Sequence, residues 1–218
     1  MLPVFTTKSI VMPVANPIRF FLDEEYEARL RCHLLFDRML SHAELVALCG
    51  GGDGEKTEMT IGIIKTGLYL EYQHFPSDCV GSCMIHRRDD RRLVLVNEHV
   101  RFLRRNGIER KKFHWFSRQK FACESLGVSA IDVTGARSSI TQGFYYYPLF
   151  GFNAPLPPGF YRFLTQELSH CQTLLDLYEQ PQGRKAWAMN GCPCEMSFEL
   201  DGRFNPSQLA YDQYAKQY

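Results

Sequence analysis

Residues 57 to 102 alternate apolar and polar side chains in successive short segments, and this pattern constrains the fold more than any other feature. Leu68, Leu70 and Tyr72 alternate with more polar neighbours, which is typical of a strand buried on one face. Another short strand is predicted from Cys83 to Arg87, and a longer one follows it to the end of the region. Strands that succeed each other so closely favour antiparallel pairing. The sequence therefore predicts an antiparallel meander.

Helical patterns flank this β region on both sides. The segment from Ser41 to Glu44 fits a capping box, in which a hydroxyl and a carboxylate satisfy free amides at a helix start. Residues 108 to 126 carry an apolar stripe at helical spacing, and Gly127 is a natural end for that helix. A short buried strand is predicted from 128 to 133, and a helix with an aromatic face from 139 to 150. The predicted fold class is α+β, with helices on both sides of the antiparallel meander in the sequence.

Prolines between residues 155 and 158 predict a boundary in the chain. We expect one domain over residues 1–155 and a C-terminal extension over residues 156–218 that packs on it. An apolar stripe at helical spacing predicts a helix from 160 to 178 within this extension. The pair Asn190-Gly191 lies between two apolar segments, which predicts a β-hairpin after that helix.

Net charge and composition exclude several classes of protein. The 25 basic and 24 acidic residues leave a formal net charge of +1, whereas proteins that bind nucleic acid broadly carry a larger basic excess. Hydrophobic residues make up 45% of the chain, but no stretch approaches the roughly 20 apolar residues of a membrane span. No secretory signal is visible, so we expect a cytoplasmic protein whose eight cysteines are reduced.

The start of the helix predicted at residue 108 is rich in positive charge. Residues 101 to 112 carry six basic side chains against one acid, Glu109, a local charge of +5 in a nearly neutral chain. Free N–H groups at a helix start attract phosphate, and a glycine such as Gly107 lets the backbone approach it closely. The segment therefore predicts a phosphate site, although the same charges also suit a solvated helix start.

Two motifs occur in order along this helix and the strand after it. Arg104 and Gly107 match the pattern Arg/Gln-x-x-Gly-x-Gly/Ala, although Glu109 stands where Gly or Ala is usual. On a helix, Glu109 is expected to pair with Lys112 instead of facing a phosphate. The segment from Cys123 to Val128 has the form of Ala-x-x-x-Gly-Val/Ile, which closes a helix and begins a strand.

A third motif lies in the aromatic segment, where Tyr147 stands four residues before Gly151-Phe152. In this order and spacing, the three motifs resemble the GNAT superfamily of acyl-CoA-dependent N-acyltransferases. The resemblance covers residues 90 to 153, and residues 1 to 89 fit the strand–helix–helix–strand opening of that family in outline. The resemblance therefore implies a GNAT-like α+β fold, in which helices flank a central mixed, mostly antiparallel sheet and the C-terminal helix and hairpin form an extension.

The resemblance implies that acetyl passes from acetyl-CoA, or another acyl group from its CoA ester, to a primary amine by direct attack. In this family a tyrosine protonates the leaving thiolate, a role that falls on Tyr147, or on Tyr145 or Tyr146 if the register shifts. Glu98 and His99, late in the fourth strand of the family's order, are the candidate general bases. Because adjacent strand residues point to opposite faces, we expect at most one of them to line the site.

The same resemblance implies where acyl-CoA binds. The strand backbone pairs with pantetheine, amides at the helix start donate to pyrophosphate, and arginines add charge. No metal is expected, and the extension is expected to cover the acceptor side or to form a homodimer interface. The expected CoA-binding residues are Arg101, Phe102, Arg104, Arg105, Asn106, Gly107, Ile108, Glu109 and Arg110, without a side-chain role for the first two.

Two other functions remain open. A related fold makes N-acyl amino acids from long-chain donors, and the aromatic residues from 144 to 163 suit a tunnel for such a chain. A non-catalytic module that binds CoA or another ligand is favoured by Glu109, because its carboxylate repels a pyrophosphate that it faces. The paired spacing typical of a zinc site is missing from His74, Cys79, Cys83 and His86.

Overall fold

A computed structural model describes most of the chain, which divides into two compact units, Met1–Val128 and Ser129–Tyr218. The domain boundary predicted after residue 155 lies inside the second unit and stays a prediction. Among the described residues, no helix combines the length and the apolar character needed to cross a lipid bilayer. The described residues are 18–20, 25–52, 55–75, 78–103, 107–135, 143–202 and 205–216.

The first unit contains five strands and three helices among its described residues. Two helices separate its first strand from the other four, and a long helix follows the last strand. The elements are β1 (Ile18–Phe20), α1 (Glu25–Phe36), α2 (His42–Leu48), β2 (Lys56–Ile64), β3 (Gly67–Phe75), β4 (Cys79–Arg87), β5 (Leu93–Phe102) and α3 (Ile108–Ser125).

These strands pair in the order β1-β2-β3-β4-β5. β1 runs parallel to β2, which the two helices between them make possible, and β2 to β5 pair antiparallel in succession. The predicted meander and the predicted mixed, mostly antiparallel α+β architecture are confirmed for this unit. The strand before α3 is the fifth described strand, whereas the family's order makes it the fourth, and the likeness to GNAT proteins stays a prediction.

One face of this sheet is apolar and forms the core of the unit. Leu68, Leu70 and Tyr72 are buried there as their alternation predicts, and Ile85 and Leu95 continue the same face across β4 and β5. α1 packs on β2 and β3, and α3 packs on β5 and α2. Fully burying one large aliphatic side chain contributes about 1.5–3 kcal/mol, so this face supplies much of the stability of the unit.

The helices of this unit begin and end close to the predicted residues. The Ser41 hydroxyl accepts a hydrogen bond from the Glu44 amide, and the Glu44 carboxylate accepts one from the Ser41 amide, so the predicted capping box is confirmed. Hydrogen bonds from Arg38 and from Ser41 lower the pKa of Glu44 to about 2. α3 begins at the predicted residue, and Gly127 follows its end in the left-handed conformation with φ 71°.

The second unit contains an antiparallel pair of strands, four α-helices and two 3₁₀ turns among its described residues. The elements are β6 (Ala130–Gly135), α4 (Gly143–Leu149), the 3₁₀ turns Pro158–Phe163 and Gln166–Leu168, α5 (Leu174–Tyr178), α6 (Pro181–Asn190), β7 (Cys194–Glu199) and α7 (Pro206–Ala215). α4 packs on β6, and α7 packs on β7.

The hairpin predicted for the extension is wrong. Residues 186 to 189, expected as one of its arms, lie in α6, and β7 pairs with β6 instead. The helix ends at Asn190-Gly191, because Gly191 turns to an extended conformation with ψ 156° after its amide makes the last helical bond, to the Trp187 carbonyl at 2.7 Å. Trp187 is fully buried in this helix, and burial of so large a side chain outweighs the local preference for a turn.

The single helix predicted from 160 to 178 is also wrong, because the segment forms two 3₁₀ turns before α5 begins. Thr173 and Asp176 form a capping box in which the Thr173 hydroxyl accepts from the Asp176 amide and the Asp176 carboxylate accepts from the Thr173 amide. A capping box starts a new helix, so it divides an apolar stripe that looks continuous in the sequence.

Candidate functional site

The pairing of β4 and β5 contains one register shift, which lies at Glu98, a residue predicted as a general base. Ser82 pairs with His99, whereas Cys83 pairs with Asn97, so Glu98 is an extra residue in β5. Such a bulge interrupts the alternation of faces and leaves the extra residue out of the ladder. Both Glu98 and His99 are exposed. The bulge removes the alternation on which the expectation of at most one site-lining residue depends, and that expectation stays a prediction.

A buried pair of amides anchors β5 beside this bulge. The side chains of Asn97 and Gln119 exchange hydrogen bonds of 2.7 and 3.0 Å, and Gln119 also donates to the Leu48 carbonyl at 2.8 Å. Asn97 is 4% exposed and Gln119 is fully buried. Because buried amides cost free energy unless they are paired, this network holds β5 against α3 and the end of α2. No local pattern marks amides 22 residues apart as partners, and the pair was not predicted.

The last two residues of β5 differ in what their side chains contact. The Arg101 side chain is exposed, and the backbone role of this residue stays a prediction. Phe102 is half-buried, and its ring meets the Trp115 ring edge-on with centroids 6.2 Å apart. Trp115 in turn donates from Nε1 to the Cys49 carbonyl at 2.8 Å. The Phe102 side chain therefore ties the end of β5 to α3, a packing role that the sequence did not predict.

Gly107 is the N-cap of α3 and adopts the left-handed conformation, with φ 64° and ψ 28°. A Cβ placed there meets nothing within 4 Å, so the backbone conformation, and not a lack of space, favours glycine. No described side chain caps the helix, so the N–H groups of its first turn are available to a ligand. The predicted ligands Arg104, Arg105 and Asn106 lie outside the described residues.

Charged side chains in the first turns of α3 interact with one another. Arg110 donates from Nε to His114 at 3.1 Å, and burial together with this guanidinium lowers the pKa of His114. Ile108 and Glu109 are half-buried. Burial lowers the pKa of Lys112, and the charge of Glu109 offsets part of this effect. The charge of Glu109 therefore acts on Lys112, and the pairing of the two side chains stays a prediction.

Tyr147 lies in α4, and the motif that it begins has a packing role. The Tyr147 ring packs on Phe152 with centroids 5.2 Å apart, and Phe152 is fully buried. Gly151 has φ 96°, and a Cβ there lies 2.2 Å from the Ser207 carbonyl oxygen, so a larger residue does not fit. The spacing of Tyr147 and Gly151-Phe152 is thus explained in part by packing within the second unit.

The two alternative tyrosines contact each other, and Tyr145 also contacts Tyr178. The rings of Tyr145 and Tyr146 meet edge-on with centroids 5.5 Å apart. The Tyr178 hydroxyl donates to the Tyr145 carbonyl at 2.9 Å, and burial raises the pKa of Tyr178. Tyr145, Tyr146 and Tyr147 are all half-buried, so burial does not single out one of them as the acid. Tyr147 lies in the second unit, whereas Glu98 lies in the first.

Within the described ranges, no group of three or more His, Cys, Asp or Glu side chains is arranged to hold a metal ion. His74 is fully buried, with Nδ1 2.8 Å from the Thr57 hydroxyl and Nε2 2.8 Å from the Cys49 carbonyl. Because a carbonyl only accepts, Nε2 carries the proton and Nδ1 accepts from the hydroxyl. Burial lowers the pKa of His74, which suits this neutral structural role.

Comparison with known proteins does not identify this chain. No protein-family model matches it, and no curated protein is significantly similar to it. The resemblance to GNAT proteins therefore depends on the motifs between residues 90 and 153. The acyl donor, the amine acceptor and the roles of individual residues are proposals.

Proposed function

We propose that the protein is an acyl-CoA-dependent N-acyltransferase, most simply one that transfers acetyl from acetyl-CoA to a primary amine. The observation that supports this proposal is the succession of a bulged strand, the left-handed Gly107 and a helix start that no described side chain caps. A bulge re-aims the side chains beside it, and a free helix start attracts phosphate. Both features lie where the GNAT resemblance implies the thioester and the pyrophosphate.

CoA is proposed to bind along the end of β5 and the start of α3. The backbone of Arg101 and Phe102 pairs with pantetheine, and the amides from Gly107 to Glu109 donate to pyrophosphate. Exposed Arg110 adds positive charge beside these amides, as do Arg104 and Arg105 in the same proposal, and the Asn106 amide is a further donor to pyrophosphate. Glu109 interacts with Lys112 in this turn, which reduces the repulsion that its carboxylate exerts on a phosphate.

The proposed reaction replaces the thiolate of the thioester with the amine and needs two proton transfers. The amine nitrogen attacks the thioester carbonyl carbon, and the C–S bond breaks when the tetrahedral intermediate collapses. Glu98, or His99 beside it, takes a proton from the amine, and Tyr147 donates one to the leaving thiolate. The exposed bulge supports the first role, since both candidate bases are accessible there. Positioning of the two substrates supplies much of the remaining rate enhancement.

Replacing Tyr147 with Phe tests the proposed acid. A positioned proton donor contributes roughly 10²–10⁴ in rate, so we expect kcat to fall at least about 100-fold. Acetyl-CoA binding does not need the hydroxyl, so its KM should change by less than about twofold. Chromatography of released CoA over a panel of primary amines measures both quantities.

Tyr161→Phe is the matched control, because Tyr161 is 45% exposed in a 3₁₀ turn of the same unit. It should keep the kcat of the unmodified protein. An unchanged kcat in Tyr147→Phe would show that Tyr147 is not the proton donor. Tyr145→Phe and Tyr146→Phe would then be measured in the same assay. No CoA release with any amine would contradict the enzymatic proposal.

Glu109 favours a second candidate, a non-catalytic module that binds CoA or another ligand. Its carboxylate lies in the first turn of α3, where it weakens the attraction of the helix start for phosphate. Binding of CoA without turnover of acetyl-CoA would support this candidate. Long-chain acyl-CoA donors in the same panel, with amino acids as acceptors, test for an N-acyl amino acid synthase.

A further inference from the structure

A row of polar side chains crosses the sheet of the first unit on the face opposite its apolar core. The register places five residues side by side, one from each strand. Neighbouring strands lie about 5 Å apart, so these side chains form a continuous polar strip. From β1 to β5, the strip consists of Arg19, Thr60, Glu71, Ser82 and His99.

The polar strip lines an open cleft with a volume of about 400 Å³. Glu58, Gln73 and Val80, which lie two residues along their strands from the strip, extend the lining on the same face. Small-molecule sites generally have volumes of about 300–1,000 Å³. The cleft is near the lower end of this range, so it suits a ligand much smaller than CoA.

Two opposite charges in this cleft are held apart. Arg19 and Glu71 are both exposed, and Thr60 lies between them in the polar strip. Within the described part of the chain, neither of these side chains has an ion-pair partner. Elsewhere in this unit opposite charges meet directly, as Arg38 and Glu44 do. The cleft therefore offers a cationic group and an anionic group to a ligand.

We propose that the cleft binds a small zwitterion of dipeptide size, with its ammonium at Glu71 and its carboxylate at Arg19. Side chains stand roughly perpendicular to a sheet, so two strand spacings put these head groups about 10 Å apart. The charges of an extended dipeptide are about 6 Å apart, and a hydrogen bond of about 3 Å at each end extends its reach to about 12 Å, enough to bridge the two head groups. The charges of an α-amino acid, about 2.5 Å apart, are too close to reach both groups.

Thr60 lies between the two charges, where the middle of such a ligand would lie. Its hydroxyl can donate to and accept from the peptide group of the ligand. His99 ends the polar strip on β5, the strand that is proposed to hold the thioester. The role of the zwitterion as acyl acceptor rests on the proposed function, whereas its binding to the cleft does not.

Calorimetric titration with glycylglycine tests this inference in the absence of acyl-CoA. We expect saturable binding of glycylglycine and weaker binding of glycine. Two matched probes each remove one charge, since N-acetylglycylglycine lacks the ammonium and glycylglycinamide lacks the carboxylate. Each should bind about tenfold more weakly or worse, because one hydrogen bond between charged groups is worth at least that factor.

Two variants assign the lost contacts to residues. Glu71→Gln should weaken glycylglycine binding about tenfold and abolish its advantage over N-acetylglycylglycine, and Arg19→Gln should abolish its advantage over glycylglycinamide. Glu27→Gln, at an exposed position on α1, is the control and should bind like the unmodified protein. All three positions are exposed, so circular dichroism should show unchanged folds. Failure of glycylglycine to bind at millimolar concentration, or equal binding of the acetylated probe, would overturn the inference.

Failure of this inference and failure of the proposed function give different results. Binding of glycylglycine without CoA release from acetyl-CoA supports the cleft as a site and contradicts the enzymatic proposal. CoA release with other amines, together with glycylglycine binding that is insensitive to Glu71→Gln and Arg19→Gln, overturns the cleft as a zwitterion site and leaves the enzymatic proposal standing.

Discussion

The buried amides of Asn97 and Gln119 lead to a prediction about stability beside the bulge. Gln119→Met keeps the length of the side chain but removes three hydrogen bonds, two with Asn97 and one to the Leu48 carbonyl. The Asn97 amide then stays buried after losing both bonds to Gln119. Asn97→Leu removes the two bonds of the pair, while Gln119 keeps its bond to Leu48. The two single changes therefore leave different numbers of buried polar groups without a hydrogen-bond partner.

Each buried polar group without a partner costs about 1–3 kcal/mol. We expect the free energy of unfolding to fall by about 3 kcal/mol in Gln119→Met and by about 2 kcal/mol in Asn97→Leu. In the double variant neither amide remains, and the Leu48 carbonyl alone loses its partner. The free energy of unfolding of the double variant should therefore fall by about 2 kcal/mol. The two single losses add up to about 5 kcal/mol, so the coupling between the two positions is about 3 kcal/mol.

Urea denaturation followed by circular dichroism measures these free energies, and unchanged m-values show that the variants unfold in the same way. Glu27→Gln, at an exposed position on α1, should stay within about 0.5 kcal/mol of the unmodified protein. Losses in the double variant that equal the sum of the single losses, within about 0.5 kcal/mol, would refute the reasoning. Additive losses would mean that the two amides do not depend on each other.

Two further predictions concern the helix start and the buried histidine. Gly107→Ala should destabilise the protein by about 1 kcal/mol, because Ala is strained at φ 64°, and should weaken CoA binding in calorimetry. Gly127→Ala is the control, because Gly127 has φ 71° but lies outside the proposed site; it should lose the same stability and keep the CoA affinity of the unmodified protein. Equal CoA affinities in the two variants would contradict CoA binding at Gly107. Burial lowers the pKa of His74 in the folded protein below the unfolded value of about 6.5. The stability that neutral His74 contributes is therefore present above the unfolded pKa and is lost as the pH falls through the folded pKa. Urea titrations should therefore show a steeper loss of stability in acid for the unmodified protein than for His74→Gln, and parallel curves would count against this role.

Much of the first unit could be predicted because its signals are local. Alternation around Leu68 and Leu70 predicted the meander, and the hydroxyl and carboxylate of Ser41 and Glu44 predicted the start of α2. Gly127 marked the end of α3 because a left-handed residue commonly follows a helix. Each of these signals depends on residues within one turn or one strand of each other, so no tertiary contact was needed to interpret it.

The features that the sequence could not predict depend on contacts between segments that are far apart in the chain. The bulge at Glu98 and the polar strip from Arg19 to His99 depend on the register between strands, which no single strand specifies. The hairpin expected at Asn190-Gly191 failed because burial of Trp187 keeps the preceding residues helical. Tyr147 was singled out by its spacing, and the structure gives it a packing partner, so its chemical role stays a prediction.

The central claim is that CoA binds at the end of β5 and the start of α3. Titration of ¹⁵N-labelled protein with CoA, followed through backbone amide resonances, tests it most directly. We predict saturable shifts at Gly107, Ile108 and Glu109, smaller shifts from Glu98 to Phe102, and no shift at Gly127. No shift at millimolar CoA, or shifts confined to other residues, would contradict the claim.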